Sequence, residues 1–341
     1  MSNNSNEAES EASVDAPMSF GDHYAYVKNL PVIARSIYPD SSPIRLVKKA
    51  AVFSLNGIRH KQEFKRVKSL FDCPELSGVL ALFPAILEKP FSPYVCVDWE
   101  LPERVQQLRQ HFTYLKTSFG ENSKLFYQSQ GFRLFDFLTS DNELCGVEMF
   151  PGYQCEGSLG LRLVDSDGTE IYTLSMHFSN SPTPEIIIGA LQGPNEKIED
   201  RQKKIVTLTK SLHGLRPKAL MVEVVYMIAT ALNIAKIRGI SNSGHIYQSS
   251  LYSDAKRASI HFNFDELWQE YQADAESVYF YRLPASPVRK DIEALKSKKR
   301  SLYRKRYAWL DDIQIKTISA VQQILLEPPE SQHTGPETKA A

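Results

Sequence analysis

The chain has 341 residues, enough for one large domain or two of ordinary size, and 42% of them are hydrophobic, which is compatible with a substantial core. Its 40 basic and 40 acidic side chains cancel, so the net charge points to no partner of either sign. None of the four cysteines belongs to a CxxC pair, which argues against zinc and thioredoxin-like patterns and favours reduced thiols in a cytoplasmic protein. Whether Cys145 and Cys155 form a disulfide bond is left open by the sequence.

The two ends of the chain are predicted to be disordered tails, residues 1–18 and 327–341. The first holds four carboxylates and no basic residue among Ser, Asn and Ala. It lacks the basic and apolar regions of a secretory signal, and no apolar run in the chain approaches the ~18 residues of a membrane span. We therefore expect a soluble cytoplasmic protein whose membrane contact, if any, is peripheral at the inner membrane.

Residues 19–120 are predicted to be mainly helical. Residues 24–71 show a helical pattern in which apolar residues from Ala50 to Ile58 lie between basic ones, and Pro31, Pro39 and Pro43 are expected to cut this region into short pieces. The basic residues could face phosphate or a membrane surface, but ordinary amphipathic helices with solvated Lys and Arg are favoured. Two further helices are predicted over residues 76–87 and 101–119.

Residues 121–284 are predicted to form a mixed α/β core. Asp165-Ser166-Asp167-Gly168 indicates a hairpin turn, because Asp-Gly supplies the positive φ that such turns need. The expected sheet is an antiparallel meander with flanking helices, so the predicted fold class is α+β. Strands are predicted over residues 123–128, 132–138, 144–150, 158–164, 170–179 and 185–192.

A loop, a helix and a strand are predicted after a charged helical linker at residues 197–209. The helix starts at Pro217, which suits a first turn, and the strand covers residues 236–240. Arg216 and Lys218 flank the helix start, whose free N–H groups and dipole favour an anion, and Gly214 makes the preceding loop flexible. This pattern predicts an anion site, although solvated surface charges are an open alternative.

Polar side chains follow that predicted strand. Ser241, Asn242 and His245 lie in the loop beyond its end, where ligands collect in open α/β sheets. His213 precedes the helix, and imidazole titrates near neutral pH. These residues are candidates for catalysis, and the alternative is that His245 caps a loop.

The last part of the chain, residues 285–326, is predicted to be a basic helical region after a strand at residues 278–283 and a helix at 266–272 capped by Asp265. Between Arg289 and Arg306 nine basic residues face two acids. With interleaved aromatic residues this pattern suits anionic lipid, and the alternative is that the aromatic residues pack inward and leave a solvated basic rim. The candidate lipid- or anion-binding residues are Lys298, Lys299, Arg300, Arg304 and Lys305.

Three blocks of sequence resemble the VirK/YbjX family of enteric and related bacteria. They are HGLRPKAL with ISNSGHIY, then NFDELWQEY, then YRLPASPVRKDIEALKSKKRSLYRKRYAWLDDI, and the likeness covers roughly residues 40–315. One departure is Gln272-Ala273-Asp274, where a Gly-Gly pair often stands in the family. The resemblance implies a role in virulence, envelope integrity and resistance to antimicrobial peptides, with no settled biochemical activity.

The order of predicted elements resembles the core of GNAT acyltransferases, although their glycine-rich signature is absent. In such a core Arg216, Lys218 and Gly214 would hold the phosphates of acyl-CoA or an acyl carrier protein. His213 or His245 would act as general base, and Asn242 or Ser241 would orient substrate. The alternative function is a non-catalytic peripheral envelope factor that binds anionic lipid through the basic C-terminal helix.

Other functional classes have weaker support in the sequence. No G-x-S-x-G elbow indicates a serine hydrolase, and lone Cys155 is expected to be a packing residue. No HExxH-like spacing predicts a metal site, and no recognition helix or RNA-binding signature accompanies the basic charges.

Overall fold

The computed structural model describes residues 20–326, apart from residues 154, 181, 195–197, 255–256 and 258–261. Both predicted tails, residues 1–18 and 327–341, lie outside the described residues.

The first hundred described residues are mainly helical. Proline stands in the first turn of α2, α4 and α5, where its missing N–H leaves no intrahelical bond unmade. The helices are α1 (Phe20–Ile37), α2 (Pro43–Arg59), α3 (Lys61–Lys68), α4 (Pro74–Leu82) and α5 (Leu101–Phe119), with 3₁₀ turns at Ser69–Phe71, Pro84–Phe91 and Gly120–Tyr127.

Two expectations for this region were wrong. Pro31 lies inside α1 instead of ending it. Its ring is on the exposed face, while neighbouring Leu30 and Ala34 are buried, so packing outweighs the lost hydrogen bond. The predicted strand at residues 123–128 is the 3₁₀ turn, because Phe126 packs edge-on against Phe119 of α5 at 5.0 Å.

One eight-stranded sheet forms the core, with the order β1-β2-β3-β4-β5-β6-β8-β7. Its first five strands are the predicted antiparallel meander. Only β5 and β6 are paired in parallel among the described strands. The strands are β1 (Phe132–Leu138), β2 (Leu144–Phe150), β3 (Leu159–Val164), β4 (Glu170–Ser179), β5 (Glu185–Gln192), β6 (Lys236–Ile240), β7 (Asp274–Ala275) and β8 (Phe280–Arg282).

Helices α6 (Arg201–Ser211) and α7 (Pro217–Ala231) connect the parallel pair, and α7 packs on β3 and β4. Because α7 carries the chain back along the sheet, its start lies at the same end as the carboxyl ends of β5 and β6. The long C-terminal helix α9 (Ser297–Gln322) covers α7 and β1. The predicted mixed α/β class with a mostly antiparallel sheet is therefore confirmed.

The parallel pairing stops abruptly. It runs from Glu185 opposite Lys236 to Ile188 opposite Gly239. The next residue of β5, Gly189, is skipped in the register with β4, which indicates a bulge. A Cβ at position 189 would overlap the backbone oxygen of Glu156, so only glycine lets that loop lie on the strand.

A short helix, α8 (Phe264–Glu270), is fastened to β6. Its N-cap is Asn263, whose side chain accepts the N–H of Glu266 at 3.2 Å; the predicted cap, Asp265, is instead the second residue of the helix. Trp268 is fully buried against Gly239 and donates its indole N–H to the oxygen of Ile240 at 2.7 Å. The contact fixes α8 over the end of β6.

We predict that Gly239→Ala destabilises the protein by about 1–3 kcal/mol, because the new methyl group overlaps the Trp268 ring. Urea unfolding followed by tryptophan emission measures this change. Gly193→Ala is the matched control, since its Cβ would meet nothing closer than 3.6 Å, and its midpoint should stay near that of the wild type. Equal urea midpoints for Gly239→Ala and Gly193→Ala would contradict the close contact between Gly239 and Trp268.

Candidate functional site

A pocket opens where β5 runs on past the end of its pairing with β6. Its volume is about 270 Å³. The loop before β3 forms one wall and the loop after β6 forms the other. The lining residues are Tyr153, Cys155, Glu156, Gln192, Ile246, Tyr247 and Tyr252.

Glu156 is the charged group of this pocket and is 2% exposed. Its two carboxylate oxygens accept the side-chain amide of Gln192 at 2.7 and 2.8 Å. The hydroxyl of Ser175 on β4 donates to one of them at 3.3 Å. Neutral donors therefore hold the carboxylate in place, as a buried anion requires.

A buried amine, Lys89, and the thiol of Cys155 lie close to Glu156. Lys89 is 1% exposed and donates to the oxygen of Gly157 at 2.6 Å. Burial lowers the pKa of Lys89 to about 7, although the nearby acidic groups of Cys155, Glu88 and Glu156 act to raise it. Burial also raises the pKa of Cys155 above its usual value, so this cysteine stays a thiol at neutral pH.

The phenols of the pocket remain protonated at neutral pH. Burial raises the pKa of Tyr247 to about 12 and raises those of Tyr153 and Tyr252 further. Tyr247 and Tyr252 pack edge to face at 4.8 Å. Such phenols can donate a hydrogen bond or a proton to a group that becomes negative in the pocket.

A larger cavity of about 690 Å³ adjoins the pocket and shares Tyr153 and Gln192 with it. Its charged lining residues are mostly acidic, and Lys204 is the one basic side chain among the described lining residues. Lys204 is paired with Asp165, and Glu170 is paired with Arg162 at 3.2 Å. Asp167 and Glu199 are therefore the lining carboxylates that form no ion pair within the described residues, and they favour a cation. The acidic lining residues are Asp165, Asp167, Glu170 and Glu199.

The predicted anion site lies at the start of α7. Arg216 and Lys218 both pair with Glu270 at the end of α8, and the Lys218 distance is 3.3 Å. Arg216 is 54% exposed and lies near Tyr172 of β4. Burial raises the pKa of Tyr172, and the guanidinium of Arg216 acts to lower it. The carboxylate of Glu270 thus pairs with both cations beside the acidic cavity.

Ser241, Asn242 and His245 follow β6 in one loop, and their side chains form hydrogen bonds within the fold. Ser241 donates to the oxygen of Val278 at 2.7 Å. Asn242 contacts Asp265 and Asn263 at 3.0 and 2.7 Å and accepts the N–H of Phe264 at 2.8 Å.

His245 supports a residue of the pocket. It is 4% exposed, accepts the backbone N–H of Tyr247 at 3.4 Å and packs its ring 5.0 Å from the Tyr247 ring. It thus fixes the position of a phenol that lines the pocket.

His213 and Gly214 adopt positive φ values of 51° and 78° and pack against α9. Arg306 donates to the oxygen of His213 at 3.1 Å, and Leu302 lies where a side chain at position 214 would stand. Burial, with the charges of Lys305 and Arg306, lowers the pKa of His213. This loop is therefore part of the contact between α7 and α9.

The predicted lipid-binding cluster is partly neutralised within the chain. Arg300 and Arg304 pair with Glu293 at 3.1 and 2.9 Å. Lys299 and Lys305 are exposed, and the side chain of Lys298 lies outside the described residues. The aromatic residues pack inward: Trp309 meets Phe137 edge to face at 5.6 Å, and Tyr307 accepts the N–H of Lys290 at 2.8 Å.

Sequence reasoning missed a buried polar network beside the pocket. Tyr94 contacts Ser158 at 2.5 Å and His177 at 2.9 Å, and the other ring nitrogen of His177 contacts Gln107 at 3.1 Å. Burial lowers the pKa of His177 to about 3. Burial also lowers that of His111, which stacks on His177 at 5.1 Å. No local pattern marks these residues, because their partners are distant in sequence.

Three simple possibilities find no support in the described part of the chain. All four cysteines are free, so Cys145 and Cys155 are not bridged. No group of three or more metal-ligating side chains occurs among the described residues. Within the same residues, no helix combines the length and apolar character needed to cross a membrane.

Comparison with known proteins links the chain to one family. The model of the family described as "Protein of unknown function (DUF535)" matches residues 44–319. "Uncharacterized protein YbjX" of Escherichia coli (strain K12) is 31% identical over 247 residues, covering 71% of this chain and 73% of that relative. A Haemophilus influenzae protein is 34% identical over 158 residues, 46% of this chain and 51% of its own.

A more distant relative is "Membrane protein LapB" of Mannheimia haemolytica. It is 23% identical over 209 residues, which cover 61% of this chain and 89% of that protein. No solved structure matches the chain.

The buried histidines predict a pH-dependent stability. Their folded pKa values are depressed, so the unfolded chain binds more protons below the ordinary histidine pKa of about 6.5. Stability should be full above that pH and fall towards pH 3, by at most ~1.4 kcal/mol per pH unit for each histidine. Urea unfolding across this range should give a shallower slope for His177→Gln than for the wild type. His23→Gln, a substitution at an exposed position of α1, is the control for the loss of one imidazole, and a wild-type slope in His177→Gln would contradict the prediction.

Proposed function

The chain belongs to the VirK/YbjX family, DUF535, and from this premise we propose that it is an acyltransferase with a GNAT-like core. It would transfer an acyl group from a thioester donor to a cationic amine. The observation that carries the proposal is the pocket at the end of the parallel pair β5 and β6, where buried Glu156 faces protonated tyrosines. A base and an acid in one pocket are what acyl transfer to an amine requires.

The order of elements supports this core. An antiparallel meander leads into β5, a helical connection follows, and β6 returns parallel to β5. Ligands of open α/β sheets bind beyond the carboxyl ends of such strands, and here the pairing ends at Gly189 beside the pocket. Fold order alone does not establish chemistry, so the proposal depends on the side chains.

The donor would approach along the start of α7. Free N–H groups of the first turn, with Arg216 and Lys218, suit the phosphates of acyl-CoA or the phosphopantetheine of an acyl carrier protein. Glu270 pairs with both cations. Phosphate would displace this carboxylate, because an exposed pair contributes little stability.

The acceptor would enter through the acidic cavity as an ammonium ion. An ammonium nitrogen has no lone pair, so the acceptor would first release one proton to solvent, and Glu156 would take the second proton as the neutral amine attacks the thioester carbonyl. The C–S bond would then break, the leaving thiolate would take a proton from Tyr247, and the tyrosinate would recover a proton from Glu156 through solvent. His245 would position Tyr247 and not exchange the proton itself, since its ring accepts the Tyr247 backbone N–H.

The alternative is the non-catalytic envelope factor that binds anionic lipid through α9. Exposed Lys299 and Lys305 favour it, and the pairs of Arg300 and Arg304 with Glu293 reduce its charge. The name of the relative "Membrane protein LapB" also fits a role at a membrane. A function in the envelope, in virulence or in resistance to antimicrobial peptides is the expectation that the family resemblance brings to either candidate.

The catalytic assignment predicts that Glu156→Gln lowers kcat by at least about a hundredfold, because a general base contributes 10²–10⁴-fold. Thiol release from a panel of acyl-CoAs, with polyamine and aminosugar acceptors, measures the rate. Glu121→Gln is the control, since that carboxylate forms an exposed pair with Lys124. Melting curves must show that both variants are folded. Thiol release by folded Glu156→Gln at the wild-type rate would remove Glu156 from the mechanism, and no release by the wild type with any donor would favour the envelope factor.

The proposed donor site predicts that two substitutions change the KM for the donor in opposite directions. Arg216→Ala should raise the donor KM about tenfold, because it removes a phosphate contact. Glu270→Gln should lower the same KM, because it frees Arg216 and Lys218 from their internal partner. The pair of variants distinguishes phosphate binding from a structural role: a structural ion pair would make both substitutions change KM in the same direction.

A further inference from the structure

The outer side of α2 carries an apolar stripe. Its members recur at intervals of three and four residues, so they lie along one side of the helix. Ile44 is 87% exposed, Val47 70% and Leu55 66%, whereas Phe53 on the opposite side is 2% exposed. We call this surface the α2 stripe; its members are Ile44, Val47, Ala51, Leu55 and Ile58.

The fold holds the α2 stripe outward. Helix α1 packs so closely on α2 that a Cβ at Gly57 would come within 2.9 Å of Leu30. Tyr26 of α1 also donates to the oxygen of Gly57 at 2.6 Å. The opposite side of α2 is therefore committed to the core, and the helix cannot rotate to bury its second apolar side.

Cations border the stripe. Arg45, Lys48 and Arg59 are exposed and form no ion pair within the described part of the chain. From Pro43 to Lys68 the chain has eight basic residues and one acid, Glu63. A helix with an exposed apolar stripe beside Lys and Arg has the composition of helices that lie in a membrane interface.

This charge decides between possible occupants. A second copy of the chain would bring two basic surfaces together, and like charges across an interface repel. Anionic headgroups attract each nearby Lys or Arg by about 1 kcal/mol, while the acyl chains accept the apolar residues. The apolar stripe and its bordering cations are thus both complementary to an anionic lipid surface.

We propose that α2 docks the protein on an anionic lipid surface, with the α2 stripe among the acyl chains and its bordering cations at the headgroups. The site is separate from the pocket and from the basic cluster of α9. It does not rest on the acyltransferase activity, and its test uses no enzymatic readout.

Flotation of the full-length protein with vesicles tests the proposal. The wild type should bind phosphatidylglycerol-containing vesicles at least about tenfold more tightly than pure phosphatidylcholine, and salt should weaken this binding. The double variant Val47→Asp/Leu55→Asp should lose about tenfold or more. The matched control is Leu251→Asp/Ile315→Asp, which adds the same charge at residues that are 73% and 69% exposed elsewhere, and it should bind as the wild type does.

A fluorescent variant reports on insertion. Leu55→Trp should shift its emission to the blue with anionic vesicles and be quenched by brominated acyl chains. Melting curves verify the fold of each variant, which is expected to survive because all substituted side chains are exposed.

Four results would overturn the proposal. The first is wild-type protein that does not float, and the second is a folded stripe variant that floats like the control. The third is binding lost in Lys299→Gln/Lys305→Gln but kept in the stripe variant, which would assign the lipid to α9. The fourth is a blue-shifted emission of the Leu55→Trp variant without vesicles, which would mean that protein already covers the α2 stripe. Light scattering would then assign the stripe to a contact with a second copy if the mass is doubled. An unchanged mass would assign it to a contact with the chain's own residues 1–19.

Discussion

The pocket depends on one close contact, in which the loop before β3 lies directly on the backbone of β4 and β5. Gly189 and Gly157 have no side chain to keep the two segments apart, and a Cβ at either position would press on backbone atoms of Glu156 or Met176. The loop brings Cys155 and Glu156 over the sheet at the bulge. The buried carboxylate and the pocket therefore both depend on this contact, which lies where the parallel pairing ends.

Burying Glu156 and Lys89 together is costly unless each finds partners, and the fold supplies them. Gln192 and Ser175 bind the carboxylate, and Gly157 accepts from the amine. Two neutral histidines fill the adjoining space on α5 and β4. Such an arrangement leaves the amine and the carboxylate in a low-dielectric setting, where small changes of environment alter protonation strongly.

Local sequence signals predicted most of the sheet, because strands and turns depend on neighbours in the chain. The strand at residues 144–150 has the predicted bounds, and the Asp-Gly turn carries a φ of 77° at Gly168. The Pro217 start of α7 is also where it was expected. Asn and Asp both suit an N-cap, so the sequence does not separate Asn263 from Asp265, and the cap is identified by the Asn263 side chain, which accepts the N–H of Glu266.

The site was harder to predict, because its groups meet through tertiary contacts. Lys89 and Gly157 are 68 residues apart, and nothing near either residue indicates their hydrogen bond. Helices α2 and α9 illustrate the same limit, since both are basic and amphipathic in sequence. In α9 Trp309 packs inward and Glu293 pairs with two arginines, whereas α2 leaves Val47 and Leu55 in solvent. Basic residues alone therefore do not mark a membrane surface, and the proposed lipid contact of α2 rests on the apolar side chains that the folded chain leaves exposed beside its cations.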